Sequence, residues 1–111
     1  MEIIKRIIIL GDGGYIGGCL KKRLHVEHPD VEILGFSSSE VDLTNNNETR
    51  LLEQHIVPGT VIVMCSCIKK QRGDSLEAFE QNLKMVINVC KNLFSDNLLR
   101  FVYVSSAEVY G

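Results

Sequence analysis

Short apolar runs alternate with segments of helical periodicity along the chain. The apolar runs lie at residues 7–10, 31–36, 41–43, 60–67 and 101–104. Continuous β-branched-rich runs of this kind are typical of strands that are buried on both faces of a parallel sheet. The pattern therefore predicts a series of strands, of which the one at 41–43 is very short.

The segments between these runs are predicted to be helices, because apolar residues recur in them every three or four positions. The first helix, ending near Glu27, is expected to bury Tyr15, Ile16, Cys19, Leu20 and Leu24. The longest helix, from about Ser75 to Phe94, is expected to bury Leu76, Phe79, Leu83, Val86, Ile87 and Cys90. Another helix runs to about His55, with several N-cap candidates in Thr44-Asn45-Asn46-Asn47.

Strands that alternate with helices imply right-handed parallel crossovers. A glycine turn follows the first strand, which favours a doubly wound parallel sheet, the α/β Rossmann fold, with strand order 3-2-1-4-5. Ligands bind such sheets at the carboxyl ends of the strands, where the strand order reverses. No linker or repeat interrupts the 111 residues, so we expect a single α/β unit.

The glycine turn is Gly11-x-x-Gly14-x-x-Gly17, placed between the first strand and the first helix. Glycines there allow backbone N–H groups and a helix N-terminus to approach a pyrophosphate with no Cβ in the way. The turn therefore predicts a dinucleotide site, which includes Tyr15 and Ile16 at the start of the helix. The alternative is that the glycines only make a tight connection between strand and helix.

The end of the second strand bears on the choice of cofactor. It reads Gly35-Phe36-Ser37-Ser38-Ser39, with no carboxylate before Glu40. An acidic residue in this region normally binds the ribose hydroxyls of NAD and repels the 2′-phosphate of NADP. Its absence, with the hydroxyls of Ser37 and Ser38 as donors, favours NADP, and NAD is the other candidate. The alternative for the serines is a plain polar turn.

Composition adds little. A formal net charge of -2 gives no reason to expect nucleic acid or an anionic membrane as a partner. The N-terminus has neither a signal-peptide core nor a membrane span, so a cytoplasmic protein is expected. The cysteines are predicted to be small buried thiols and not metal ligands, although redox or metal chemistry at Cys65 and Cys67 is an alternative.

The motifs occur in an order that points to one family. After the glycine turn come Val41-Asp42-Leu43-Thr44, Asn82 and the terminal Phe101-Val-Tyr-Val-Ser-Ser-Ala-Glu-Val-Tyr-Gly111. Over its whole length the chain resembles the extended short-chain dehydrogenase/reductase family of NAD(P)-dependent nucleotide-sugar epimerases, dehydratases and reductases. The resemblance implies hydride transfer on a nucleotide sugar. A homodimer is a candidate assembly. A non-catalytic dinucleotide-binding regulator or redox sensor is the alternative.

The resemblance also implies roles in cofactor binding. The Asp42 carboxylate would accept from the adenine amino group while Leu43 packs on the ring; the alternatives are a charge at a helix N-terminus and a core leucine. Cys65, Ser66 and Cys67 occupy the place where the family has small residues beside the nicotinamide ribose. Met64 stands where the family has an asparagine.

Catalytic residues follow from the same resemblance. Ser106 matches the catalytic serine, whose hydroxyl polarises the substrate oxygen. Asn82 matches an asparagine that holds backbone near the active site; the alternative is an exposed helical asparagine. The family's Tyr-x-x-x-Lys pair, which exchanges the proton, does not occur in the chain. We therefore expect residues 1–111 to be the N-terminal, NAD(P)-binding portion of a longer enzyme, and to be inactive alone.

Overall fold

The structure, a computed structural model, describes residues 3–65 and 75–104. Its strands are β1 (Arg6–Leu10), β2 (Glu32–Phe36), β3 (Thr60–Met64) and β4 (Leu98–Tyr103). Its helices are α1 (Tyr15–Glu27), α2 (Asn46–Leu51), which continues as a 3-10 turn over Leu52–His55, and α3 (Ser75–Leu93). None of the helices in these ranges is long and apolar enough to cross a bilayer.

The strands form one parallel sheet in the order β2-β1-β3-β4. This confirms the predicted α/β fold. The predicted order was 3-2-1-4-5, and the observed order equals it once the predicted third strand is removed. The prediction of a strand at residues 41–43 is wrong. Instead, the backbone N–H groups of Glu40 and Val41 both donate to the Ser37 carbonyl at 3.0 Å. Because a turn already uses these groups, the segment does not extend the sheet.

Alternate residues of the strands bury their side chains on opposite faces of the sheet, as the period of two requires. One face, covered by α2, the 3-10 turn and α3, contains Ile8, Leu10, Ile62 and Met64. The other face packs against α1 and contains Ile7, Ile9, Ile33 and Val61. Burial on both faces explains why these strands read as continuous apolar runs.

The face of α3 that was predicted to be buried is instead largely exposed. The residues on this face, hereafter the α3 stripe, are Leu76, Phe79, Leu83, Ile87 and Cys90. The core-facing residues are Ala78, Asn82, Met85, Asn88, Val89 and Leu93. A polar contact accompanies this orientation, because the buried Asn88 side chain donates to the Leu43 carbonyl at 2.8 Å. The helix was therefore predicted correctly, but its rotation was not.

The predicted buried face of α1 is also only partly correct. Leu20 and Leu24 pack against the core, whereas Tyr15, Ile16 and Cys19 are exposed. The buried residue of this helix is Gly17. Because a glycine lies at the point of contact, the helix approaches the sheet at its N-terminal end through backbone.

The cysteines differ from the prediction of buried thiols. Cys19 and Cys90 are exposed and Cys65 is half-buried. All three are free thiols, and Cys67 lies outside the described residues. The prediction failed because it assumed that the apolar stripes of α1 and α3 face the core.

Candidate functional site

The glycine turn connects β1 to α1 at the carboxyl edge of the sheet. Gly11 has φ of 92°, a conformation that favours glycine, and its N–H donates to the Phe36 carbonyl at 2.8 Å. A Cβ on Gly17 would overlap the Gly11 carbonyl oxygen and lie 2.9 Å from its carbon. Two of the three predicted glycines are thus required by the fold itself, because α1 rests directly on the turn.

Gly14 has a different role in the geometry. It is the N-cap of α1, and no side chain in the described part of the structure caps the helix there. A Cβ at Gly14 would find its nearest neighbour, the Gly11 carbonyl oxygen, at 3.7 Å, so the fold does not require glycine at this position. Uncapped backbone N–H groups at a helix N-terminus are suited to binding an anion.

The serine turn, Ser37-Ser38-Ser39, lies against the glycine turn. A Cβ on Gly13 would lie 3.2 Å from Cβ of Ser37, so the two turns are in close contact and a side chain at Gly13 would require Ser37 to shift by a few tenths of an ångström. The ends of β1 and β2 are hydrogen-bonded neighbours, which brings the turns that follow them together. This adjacency is what a dinucleotide requires if its diphosphate and its adenosine ribose are to be bound together.

A cleft of about 570 Å³ opens at this edge of the sheet. Of the predicted site residues it is lined by Gly11, Gly14, Ser37, Ser38, Asp42, Leu43 and Cys65. It is also lined by residues that the sequence did not indicate as site residues, namely Gly13, Ser39, Val41, Thr44 and Met85. Gly13 and Ser39 belong to the glycine turn and the serine turn, so the sequence pattern could have identified them as site residues. Met85 was missed because the rotation of α3 was predicted incorrectly.

Tyr15 and Ile16 are not among the described residues that line the cleft. Tyr15 is 86% exposed and Ile16 is 51% exposed. They stand on the first turn of α1, so their backbone is near the glycine turn although their side chains are largely in solvent. A role of these two residues in cofactor binding stays a prediction.

Asp42 and Leu43 are held in place by the loop that precedes α2. The Asp42 carboxylate accepts from the backbone N–H and the hydroxyl of Thr44, at 3.0 and 2.6 Å. Leu43 is both a core residue and part of the cleft wall, and its carbonyl accepts from Asn88. The N-cap of α2 is Asn45, so Asp42 is not the capping residue of that helix. The side chains are positioned to face a ligand, and their adenine contacts stay a prediction.

The remaining predicted residues divide into two groups. Asn82 is 2% exposed, so the alternative of an exposed helical asparagine is wrong, although it is not among the described cleft residues. Ser66, Cys67 and Ser106 lie outside the described residues. Their proposed contacts with cofactor and substrate remain predictions.

A carboxylate that was not predicted to belong to the site also reaches the serine turn. The side chain of Glu40 accepts from the backbone N–H of Ser37 at 2.8 Å and from its hydroxyl at 3.1 Å. These hydrogen bonds, backbone first, lower the pKa of Glu40, and the positive charge of Lys21 lowers it further. Glu40 is therefore ionised at neutral pH, and it is bound to Ser37, which lines the cleft.

Comparison with known families identifies the group to which this site belongs. Residues 7–111 match the model of the NAD dependent epimerase/dehydratase family. The chain belongs to this family. The match includes both the glycine turn and the terminal Ser-Ser-x-x-Val-Tyr-Gly, and it confirms the resemblance that the motifs indicated. No curated protein matches the chain significantly.

Solved structures share the fold at low sequence identity. A GDP-D-glycero-L-gluco-heptose synthase from Campylobacter jejuni, solved in the presence of NADPH, is 20% identical over 96% of this chain, with a TM-score of 0.79. A GDP-mannoheptose C4 reductase from the same species, with NADP bound, is 21% identical over 93%, with a TM-score of 0.74. A dTDP-4-dehydrorhamnose reductase from Bacillus anthracis str. Ames, in complex with NADP, is 24% identical over 78%, with a TM-score of 0.65. The chain spans 32%, 31% and 31% of these proteins, respectively.

The different roles of two glycines yield a prediction about stability. Gly17→Ala places a methyl group against the Gly11 backbone and should lower the free energy of unfolding by about 1–3 kcal/mol, as overpacking does. Gly14→Ala is the matched control, because its Cβ has room; it should lose less than about 1 kcal/mol, the effect expected at an N-cap. Urea denaturation followed by circular dichroism measures both. Equal losses in the two variants would contradict the close approach of α1 to the turn.

Proposed function

We propose that the chain is the NADP-binding portion of an oxidoreductase that acts on a nucleotide sugar by hydride transfer. The observation that carries the proposal is the junction of the glycine turn, the serine turn and the Asp42–Leu43 loop around one cleft. Each of these segments suits a different part of a dinucleotide. Membership of the epimerase/dehydratase family supports the same assignment.

The residues of the cleft fit such a ligand in their chemistry. Gly11, Gly14 and the uncapped N-terminus of α1 would bind the diphosphate through backbone N–H groups. The hydroxyls of Ser37 and Ser38 would donate to the 2′-phosphate of NADP. Cys65, which is half-buried and follows β3 directly, would lie beside the nicotinamide ribose.

The adenine would lie against the other wall of the cleft. Leu43 offers an apolar surface for the ring, and the Asp42 carboxylate offers an acceptor for its amino group. Thr44 already donates to that carboxylate and so fixes its orientation. A carboxylate oxygen has more than one acceptor site, so Asp42 can hold the turn and accept from the base as well.

The chemistry itself would need a residue that lies outside the described ranges, Ser106. Bound NADP(H) supplies or accepts a hydride. Ser106 would polarise the substrate oxygen by hydrogen bonding, as the family resemblance implies. The nucleotide-sugar substrate is inferred from the GDP- and dTDP-sugar enzymes that share the fold. These neighbours favour an enzyme over the alternative of a non-catalytic regulator or redox sensor.

We infer in addition that the protein works in the cytoplasm and as a homodimer. The exposed free thiols of Cys19 and Cys90 suit a reducing compartment. The α3 stripe offers an apolar surface, with Glu77 and Glu80 in the first half of the helix and Lys84 and Lys91 in the second. Two copies related by a two-fold axis would place α3 antiparallel to itself, so that the acidic half of one faces the basic half of the other.

The glycine turn supplies the direct test of cofactor binding. Gly14→Val leaves the protein backbone undisturbed but places bulk where the diphosphate must approach. It should weaken NADP binding more than tenfold, about 1.4 kcal/mol. Calorimetric titration of the wild type and the variant measures this, with circular dichroism as the control for folding. Unchanged affinity in a folded Gly14→Val variant, or tighter binding of NAD than of NADP by the wild type, would contradict the assignment.

The homodimer has a separate test. Leu83→Glu places a charge in the middle of the α3 stripe and should shift the protein from dimer to monomer in analytical ultracentrifugation. Leu51→Glu is the matched control, because Leu51 is an exposed leucine on α2 and is not part of the stripe. It should leave the dimer intact. A monomeric wild type at tens of micromolar, or dissociation by both variants alike, would rule out this surface as the interface.

A further inference from the structure

The serine turn already holds an anion of its own. Oε1 of Glu40 lies 2.8 Å from the backbone nitrogen of Ser37 and 3.1 Å from its Oγ. The Ser37 hydroxyl is also 2.9 Å from that of Ser39, so a single carboxylate organises the turn. A carboxylate bound by one N–H and one hydroxyl uses the donors that a phosphate oxygen at this position would use.

Positive charge lies close to the same turn. Nζ of Lys21, on α1, is 3.1 Å from Oδ2 of Asp12. The Asp12 side chain in turn lies across Gly35, where a Cβ would come within 2.7 Å of its Cγ. Lys21 is thus held near the end of β2, and its charge is felt by Glu40. No arginine accompanies the serines. Among the described residues, Lys21 is the cation whose charge lowers the pKa of Glu40, and it is itself paired with Asp12.

Glu40 is exposed, so its side chain has room to leave the turn. Within the described part of the chain its carboxylate accepts hydrogen bonds from Ser37, and after its departure the N–H groups of Glu40 and Val41 would still donate to the Ser37 carbonyl. The carboxylate is consequently an exchangeable occupant of the Ser37 donors. The two backbone hydrogen bonds to the Ser37 carbonyl do not involve the carboxylate.

We propose that Glu40 sets the selectivity between NADP and NAD, because its carboxylate competes with the 2′-phosphate for the N–H and hydroxyl of Ser37. Binding of NADP displaces the carboxylate and places the phosphate near Lys21. Binding of NAD leaves the carboxylate in place, where it can accept from the ribose 2′-hydroxyl. Glu40 thereby weakens NADP binding and supports NAD binding, and the protein retains measurable affinity for both. This inference rests on the proposed function.

The test compares two substitutions of Glu40 in the full chain. Glu40→Gln removes the charge but keeps an oxygen that can accept from Ser37, whereas Glu40→Ala also frees the donors. The ratio of the NAD Kd to the NADP Kd should rise about fivefold or more in Glu40→Gln, as expected for loss of one repulsive charge pair near the surface, and further in Glu40→Ala. Calorimetric titrations with NADP and with NAD give both constants.

Glu48→Gln is the matched control. Glu48 also holds a backbone N–H, that of Asp42 at 3.0 Å, but this partner belongs to the proposed adenine site and not to the serine turn where the 2′-phosphate would bind. Its ratio should stay within twofold of the wild type. If both Glu40 variants bind the two cofactors with an unchanged ratio, or weaken both equally, Glu40 is only a cap of the turn and the inference is overturned. If the wild type binds neither cofactor, the proposed function fails and this inference fails with it.

Discussion

The fold and the proposed binding site both depend on the close approach of α1 to the glycine turn. Gly17 lies against the backbone of Gly11, and the positive φ of Gly11 turns the chain out of β1 so that the helix can begin a few residues later. Any Cβ at Gly17 would push the helix away from the sheet. The same approach sets the uncapped end of α1 at the rim of the cleft, so packing and anion binding have one structural origin.

The opposite wall of the cleft is built by a contact between α3 and the loop before α2. Asn88 is buried and donates to the Leu43 carbonyl, which also lies within reach of the Thr49 hydroxyl at 3.3 Å. These polar contacts fix a loop that has no strand partners. Leu43 can therefore serve as a core residue and still present a surface to the cleft. A buried asparagine at this position specifies the loop geometry, because an unsatisfied carbonyl in the core would be unfavourable.

Much of this arrangement could be predicted from the sequence, since it follows from local rules. The apolar runs correctly predicted β1, β2 and β3, and the glycine spacing correctly predicted the turn and the start of α1. The rotation of α3 could not be predicted in the same way. The α3 stripe is the more hydrophobic of two faces with helical period, yet the face with Asn82 and Asn88 is the buried one. The Asn88 side chain donates to Leu43, which is distant in the sequence, and hydrophobic periodicity does not reveal such a contact.

Two other features lay beyond local reasoning for related reasons. The segment at 41–43 has the composition of a strand. Its first N–H, that of Val41, already donates to the Ser37 carbonyl, so the segment continues a turn and does not join the sheet. Glu40 lies just outside the serines in sequence, and only the turn brings its carboxylate back onto Ser37. Both depend on hydrogen bonds between residues three or four apart in a loop, where side-chain identity alone does not define the backbone path.

In the function we propose, one cleft at the carboxyl edge of the sheet binds NADP through the glycine and serine turns. A titration of ¹⁵N-labelled protein with NADP, followed by two-dimensional NMR, tests this directly. We expect the amides of Gly11, Gly14 and Ser37 to shift together with one binding constant. The amides of Gly59 and Asn97, which precede β3 and β4 at the opposite edge, should not move. Shifts centred on that opposite edge, or no shifts at saturating NADP, would contradict the account.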